Sequence, residues 1–285
     1  MSEHVTLFEV GARDGLQNEK VMIPTGKKIE LIDMLSDCGF EKIETTAFVS
    51  PKWVPQMADA EEVMAGILRR PGISYAVLTP NMKGYERAKN AGASEVAVFG
   101  AASEGFSQAN VNCSIAETIE RFKPITEAAK LDGIPVRGYI SCVTDCPYDG
   151  PTPPENVATM AEVLLGAGCY EVSLGDTIGQ GTPETIGRML DAVLDVTSAE
   201  HLAGHYHDTA GRALANIEVS LEKGLRTFDS SVGGLGGCPY APGAAGNVAT
   251  QSVLDLLGAQ GFKTAIRKDK LAEATDFALS LRSSL

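Results

Sequence analysis

The sequence predicts an α/β fold: a closed (β/α)8 TIM barrel with additional C-terminal helices. Three observations predict it. Short apolar runs alternate with longer amphipathic stretches along all 285 residues, as they do in strand–helix units of a parallel sheet. These runs number eight, the count that closes such a barrel. No Gly-x-Gly-x-x-Gly turn follows the first run, which weighs against an open doubly wound sheet. No linker, charge block or low-complexity tract interrupts the chain, so residues 1–285 read as one domain.

The elements follow in order. The first strand reads at 5–10 and ends in Gly-Ala-Arg-Asp-Gly. Pro24 opens a helix carrying Ile29, Ile32 and Leu35 on one face and stopping at Gly39. Strands at 42–47, 74–78 and 95–99 alternate with helices at 56–68 and 82–90. A long connection containing Ser103, Asn110 and Asn112 leads to a helix at 114–131. The fifth strand is 136–141, followed by another long connection, 142–154, and a helix at 155–165. The sixth strand, 171–174, runs into Gly-Asp-Thr-Ile-Gly, and Pro183 starts a helix reaching about 196. The seventh strand spans 201–207, its helix 213–222, and the eighth strand 227–231. A Gly-rich stretch at 233–246 precedes two closing helices, 247–257 and 268–281.

Composition excludes some functions. A net charge of −13 argues against a nucleic-acid partner or an anionic membrane surface, and an anionic substrate would need local basic groups. No apolar run approaches the length of a membrane span. Six scattered cysteines fit free thiols in a reducing compartment better than a disulfide framework. The first residues carry neither a basic nor an apolar leader segment, so a cytoplasmic protein is expected.

In a barrel of this kind chemistry sits where strands end and the following loops begin. His205 and His207, two positions apart, share one face of the seventh strand. Asp14 follows the first strand and Asn247 follows the eighth. A carboxylate, two imidazoles and an amide oxygen form a mixed N/O donor set suited to octahedral Mg²⁺ or Mn²⁺. Each member has a plainer alternative. The histidines also read as hydrogen-bonded residues at a strand end, Asp14 as a turn residue before Gly15, and Asn247 as a helix N-cap. Arg13 reads either as a solvated arginine or as a guanidinium aimed at a developing oxyanion. Glu44 and Arg137 lie in apolar strands and need buried partners, each other included. Asp176, between glycines at a strand end, is placed to orient a histidine or a water. Cys238 follows four glycines, in a loop expected to close over the metal face; a thiol with no role in a flexible loop is the alternative.

Four runs carry a resemblance. They are Gly-Ala-Arg-Asp-Gly-Leu-Gln-Asn-Glu-Lys at 11–20, Ala-Phe-Val-Ser-Pro-Lys-Trp-Val-Pro-Gln at 47–56, Gly-Asp-Thr-Ile-Gly at 175–179, and the stretch 233–247 with Gly-Leu-Gly-Gly-Cys-Pro-Tyr. Together they resemble the 3-hydroxy-3-methylglutaryl-CoA lyases, a branch of the metal-dependent Claisen-type barrels, in a bacterial form. The resemblance implies retro-Claisen cleavage of (S)-3-hydroxy-3-methylglutaryl-CoA to acetoacetate and acetyl-CoA. It implies Asp14, His205, His207 and Asn247 as metal ligands, Arg13 as enolate stabiliser and Cys238 as the acid/base thiol. Glu44 and Asp176 carry over as supporting carboxylates, with Glu9 beside them, and Arg13, Gln17 and Asn110 as substrate-binding residues. An acyl-CoA partner and a homodimer are further expectations; Lys20, Lys52 and Lys83 are candidates for the CoA phosphates. Ala12, Ala210 and Gln251 depart from the common pattern and touch none of the proposed ligands.

Overall fold

A computed structural model describes residues 3–236 and 246–282. Eight parallel strands close into a barrel: β1 (Thr6–Glu9), β2 (Lys42–Ala47), β3 (Ser74–Leu78), β4 (Glu95–Ala101), β5 (Val136–Ser141), β6 (Glu171–Asp176), β7 (Leu202–Tyr206) and β8 (Thr227–Ser230). Each strand pairs with its sequence neighbours, and β1 closes the ring on β8, with Thr6 beside Thr227 and Glu9 beside Ser230. The helices are α1 (Thr25–Ser36), α2 (Ala60–Gly66), α3 (Met82–Asn90), α4 (Glu104–Val111), α5 (Ile115–Asp132), α6 (Pro154–Gly166), α7 (Pro183–Leu194), α8 (Ala213–Glu222), α9 (Thr250–Ala259) and α10 (Lys268–Arg282).

Local chemistry explains the boundaries. The Ser114 hydroxyl accepts from the Glu117 N–H while the Glu117 carboxylate accepts from the Ser114 N–H, a reciprocal cap that starts α5. Thr182 and Thr185 do the same for α7, with Pro183 at its first position. Leu31, Ile32 and Leu35 of α1 are fully buried against the sheet, and each such side chain contributes about 1.5–3 kcal/mol relative to exposure.

The differences from the sequence reading fall at the carboxyl ends of the strands. The connection after β4 holds α4, and that after β5 holds a two-stranded hairpin, Asp145–Cys146 with Gly150–Pro151. A small apolar cluster of Ala101, Phe106, Cys142 and Cys146 packs these two segments together. The helix expected at 56–68 is a single 3-10 turn, Pro55–Met57, followed by the shorter α2. Asn247 caps no helix: α9 starts three residues later, after Ala249. His207 lies just past β7, where its backbone bridges to Asn247.

Candidate metal centre at the barrel rim

The loop after β1 sets the first ligand. Gly11–Gly15 forms one π-turn in which the N–H groups of Arg13, Asp14 and Gly15 all converge on the Val10 carbonyl. Such turns recur at functional sites. A side chain at Gly15 would meet Leu235 Cβ at 2.7 Å, so the turn can seat against the loop after β8 only with glycine there. The Glu9 carboxylate ties the same two loops together. It accepts from the N–H groups of Gly11 and Val232 (both 2.8 Å) and from the Thr250 hydroxyl (2.7 Å). Burial outweighs these bonds and pushes the Glu9 carboxyl up to about 7.

Asp14, His205 and His207 converge, with one donor atom from each lying within 4.8 Å of the others. His205 Nε2 stands 3.4 Å from His207 Nε2 and 4.0 Å from Asp14 Oδ2. Asn247 joins from the other side, its Nδ2 donating to Asp14 Oδ2 at 2.7 Å. The same Nδ2 also donates to the Leu235 carbonyl at 3.3 Å, so the amide must make a half-turn to present its oxygen to a cation. Gly236, with φ +100°, leaves room for this amide: a Cβ there would lie 2.9 Å from Nδ2. Gln17 Nε2 donates to Asp14 Oδ1 at 2.8 Å. Among the described residues, the buried His207 Nδ1 has no partner. Facing imidazole nitrogens, a carboxylate and an unpartnered ring nitrogen suit a divalent cation, and the residues present fit one.

The electrostatics agree. Burial works against the Asp14 charge, but Arg13, both histidines and the Asn247 bond offset it and bring the carboxyl down to about 2. Burial and the neighbouring His205 lower His207 to about 4, so it is neutral and able to ligate near pH 7. His205 is raised despite burial, because Asp229 bonds to it and attracts its charge.

Arg13 is buried, donating through Nε to Glu44 Oε2 at 2.7 Å and through NH1 to Asp14 Oδ1 at 2.6 Å. Its guanidinium carbon lies 5.6 Å from the centre of the Tyr139 ring. Burial opposes its charge, yet Glu44 and Asp14 raise its pKa. Burial pushes the Glu44 carboxyl up against the pull of Arg13, and Glu44 Oε1 has no partner among the described residues. Glu44 therefore pairs with Arg13 and not with Arg137, because the π-turn brings Arg13 over the end of β2.

Asp176 holds loops rather than a histidine. Its carboxylate accepts from the Thr144 hydroxyl (3.2 Å) and the Gly181 N–H (2.9 Å), and burial raises it to about 6. The carboxylate that does meet a histidine is Asp229 on β8, 3.0 Å from His205 Nδ1. Sequence reading missed it, although Arg137 needed a buried anion and Thr-Phe-Asp-Ser supplies one at an inward strand position. Asn110 lies exposed on α4 and, among the described residues, shares no hydrogen bond with the cluster. Cys238 lies outside the described residues.

The sequence profile of the HMGL-like family matches residues 4–278. The chain belongs to the HMGL-like family. It is 56% identical to the 3-hydroxy-3-isohexenylglutaryl-CoA/hydroxy-methylglutaryl-CoA lyase of Pseudomonas aeruginosa, over 96% of this chain and 91% of that one. Among solved structures, the HMG-CoA lyase of Brucella melitensis is 62% identical and superposes with a TM-score of 0.98, covering 99% of this chain and 100% of its own. An HMG-CoA lyase from Acinetobacter baumannii, in complex with coenzyme A and 3-methylmalate, is 37% identical with a TM-score of 0.93, covering 98% and 92%. The family's divalent metal and the cluster at the rim are consistent with each other.

Proposed function

We infer that this chain is a carbon–carbon lyase that cleaves hydroxymethylglutaryl-CoA into acetoacetate and acetyl-CoA. The observation that carries the reading is the rim itself. A buried, permanently charged arginine stands against one carboxylate of a three-residue metal-ligand cluster, in a chain more than half identical to lyases of this name.

The reaction breaks the C2–C3 bond of the substrate. The proton of the C3 hydroxyl must leave, the bond's electron pair passes to the acetyl-CoA fragment as its enolate, and that enolate must be protonated on carbon. We propose Asp14, His205, His207 and Asn247, through its amide oxygen, as the ligands of Mg²⁺ or Mn²⁺. When bound, such an ion lowers the pKa of a hydroxyl it touches and polarises that oxygen. Arg13 supplies fixed positive charge for the enolate oxygen. Glu44 holds the guanidinium by Nε, so it does not have to reorganise as the charge develops. Gln17 fixes the Asp14 carboxylate from the side opposite Asn247. Glu44, with one oxygen on Arg13 and the other unpartnered among the described residues, remains available to the substrate. Asp176 serves indirectly, through the loops after β5 and β6 that it holds with Thr144 and Gly181. Cys238 is proposed as the thiol that protonates the enolate carbon, and Asn110 as a more distant substrate contact; both rest on the resemblance. So does the proposal of a cytoplasmic homodimer.

A second reading is favoured by the two-substrate name of the Pseudomonas relative: cleavage of 3-hydroxyglutaryl thioesters with a larger branch at C3. One assay separates the readings. Acetyl-CoA and acetoacetate are measured from hydroxymethylglutaryl-CoA, and acetyl-CoA from a longer-branched thioester, before and after chelation and after return of Mg²⁺ or Mn²⁺. We expect the two products in equal amounts, loss on chelation and recovery with metal. Turnover of the longer thioester alone would replace the first reading with the second. Turnover indifferent to chelator would remove the metal from both.

A further inference from the structure

The barrel interior holds a chain of buried charge that the lyase reading leaves unused. Arg137, on β5, is fully buried. Its Nε donates to Glu171 Oε1 at 2.8 Å, and its NH1 to the Tyr139 hydroxyl at 3.0 Å. NH1 and NH2 also grip Asp229 as a fork, at 3.1 and 2.7 Å. Beneath the guanidinium lies the Phe8 ring, 4.2 Å from its carbon to the ring centre. Asp229, also buried, accepts from the Ser173 hydroxyl at 2.7 Å and meets His205 Nδ1 at 3.0 Å. Side chains inside these barrels are mostly bulky and apolar, and burying an ion pair costs desolvation that its attraction recovers only with good geometry. Here the geometry is good, and one end of the chain of contacts is His205.

We propose that Asp229, fixed by Arg137 and Ser173, is a positioning residue that sets the tautomer of His205. This deepens the metal-site reading above and rests on it. Arg137 donates to both Asp229 oxygens and the Ser173 hydroxyl donates to Oδ2, so the oxygen that faces His205 is an acceptor. An acceptor at Nδ1 requires the neutral imidazole to carry its proton there. Nε2 is then left as a lone pair aimed at His207 and Asp14. The rotation of Asp229 is also fixed, because Arg137 engages both of its oxygens while Ser173 and His205 share Oδ2. A carboxylate behind a metal-binding imidazole typically changes metal affinity 10–100-fold. Glu171, at the opposite end of the barrel, occupies the Nε donor of Arg137 and leaves the fork free for Asp229.

The test uses the full-length, metal-free protein labelled with ¹⁵N. Long-range ¹H–¹⁵N spectra under alkaline conditions report which ring nitrogen of each of the four histidines holds the proton, and His205→Gln identifies the His205 signals. We expect the His205 proton on Nδ1 in the wild type. In Asp229→Asn we expect it redistributed between the two nitrogens, with Mn²⁺ affinity, read from the electron paramagnetic resonance of free Mn²⁺, weakened about 10- to 100-fold. If Asp229→Asn does not fold, Arg137→Met with Asp229→Asn removes both charges together and the same shifts are expected. A wild-type His205 protonated on Nε2 overturns the proposal without needing any variant. So does a folded Asp229→Asn or double variant that keeps the wild-type tautomer and Mn²⁺ affinity, because a role confined to structure would leave both unmoved. A wild type with the Nδ1 proton that takes up no Mn²⁺ instead sinks the metal reading alone.

Discussion

The molecule buries two arginines against carboxylates, and they are not equivalent. Arg137 lies within the barrel and spends four hydrogen bonds on Glu171, Tyr139 and both oxygens of Asp229. Arg13 sits on a π-turn at the rim with two, to Glu44 and Asp14. Its NH2 also lies 2.6 Å from the same Glu44 oxygen, and the other Glu44 oxygen has no partner among the described residues. A guanidinium has five N–H donors, so among the described residues Arg137 is nearly saturated while Arg13 keeps donors in reserve. Charge and burial are similar at the two positions. The difference that marks a reaction site is spare hydrogen-bonding capacity facing a place where charge can develop.

The comparison breaks most sharply at Arg137. Arg137→Met leaves Asp229 buried without its counter-charge, with the Ser173 hydroxyl and His205 as its remaining partners among the described residues. Removing one member of a buried pair costs about 3–5 kcal/mol of stability. We expect a loss of that order in urea-monitored unfolding, with the unfolding slope unchanged. A loss below about 1 kcal/mol, the level of an exposed pair, would mean that the fork is not a buried pair at all.

The two arginines also show what could be read without coordinates. The eight short apolar runs fixed the barrel because their count and spacing admit few other closed arrangements. The polar residues at their ends then placed Asp14, His205, His207 and Asn247 on one rim, and the structure brings these four together. Partner choice was not legible. Glu44 and Arg137 both called for a buried counter-charge, and nothing local says that Arg13 reaches Glu44 from a loop 31 positions away. Nor does it say that Arg137 finds Asp229 across 92. Strand parity could have nominated Asp229, since it alternates with the apolar Phe228 on the last strand. The π-turn leaves no mark in Gly-Ala-Arg-Asp-Gly beyond its glycines. The helix α4 and the hairpin after β5 were hidden because the four-residue apolar cluster holding them joins Ala101 and Phe106 to Cys142 and Cys146, which are not neighbours in sequence.

Arg13 tests the other side of the comparison. Arg13→Lys keeps a positive charge but loses the planar fork, so the bond to Glu44 and the charge aimed at the enolate cannot both be kept. We expect turnover to fall about 10²–10³-fold, the usual effect of deleting one stabilising donor, while Mn²⁺ still binds and unfolding shifts less than in Arg137→Met. Steady-state rates at saturating substrate check this. If turnover is retained, Arg13 is a structural arginine like Arg137 and the reserve donors have no catalytic meaning.

The smallest effect concerns Glu9, a buried carboxylate with no arginine bonded to it among the described residues. It accepts only from neutral donors, Gly11, Val232 and Thr250, and its carboxyl rises from the ordinary 4.5 to about 7. Between those values the folded state holds a proton that the unfolded chain has released. Stability therefore falls as pH rises through that window, by roughly 3–4 kcal/mol at most. Glu9→Gln carries no charge and keeps one oxygen for the two backbone N–H groups, while its amide nitrogen can donate to the Thr250 oxygen. We expect the stability advantage of the wild type over Glu9→Gln to shrink by that amount from pH ~4.5 to above pH ~7, and then to level off. Parallel denaturant titrations across that range measure it. An advantage constant with pH would mean that the carboxylate is held ionised by its three donors, and that loops can be tied at this rim by a buried charge without an arginine to neutralise it.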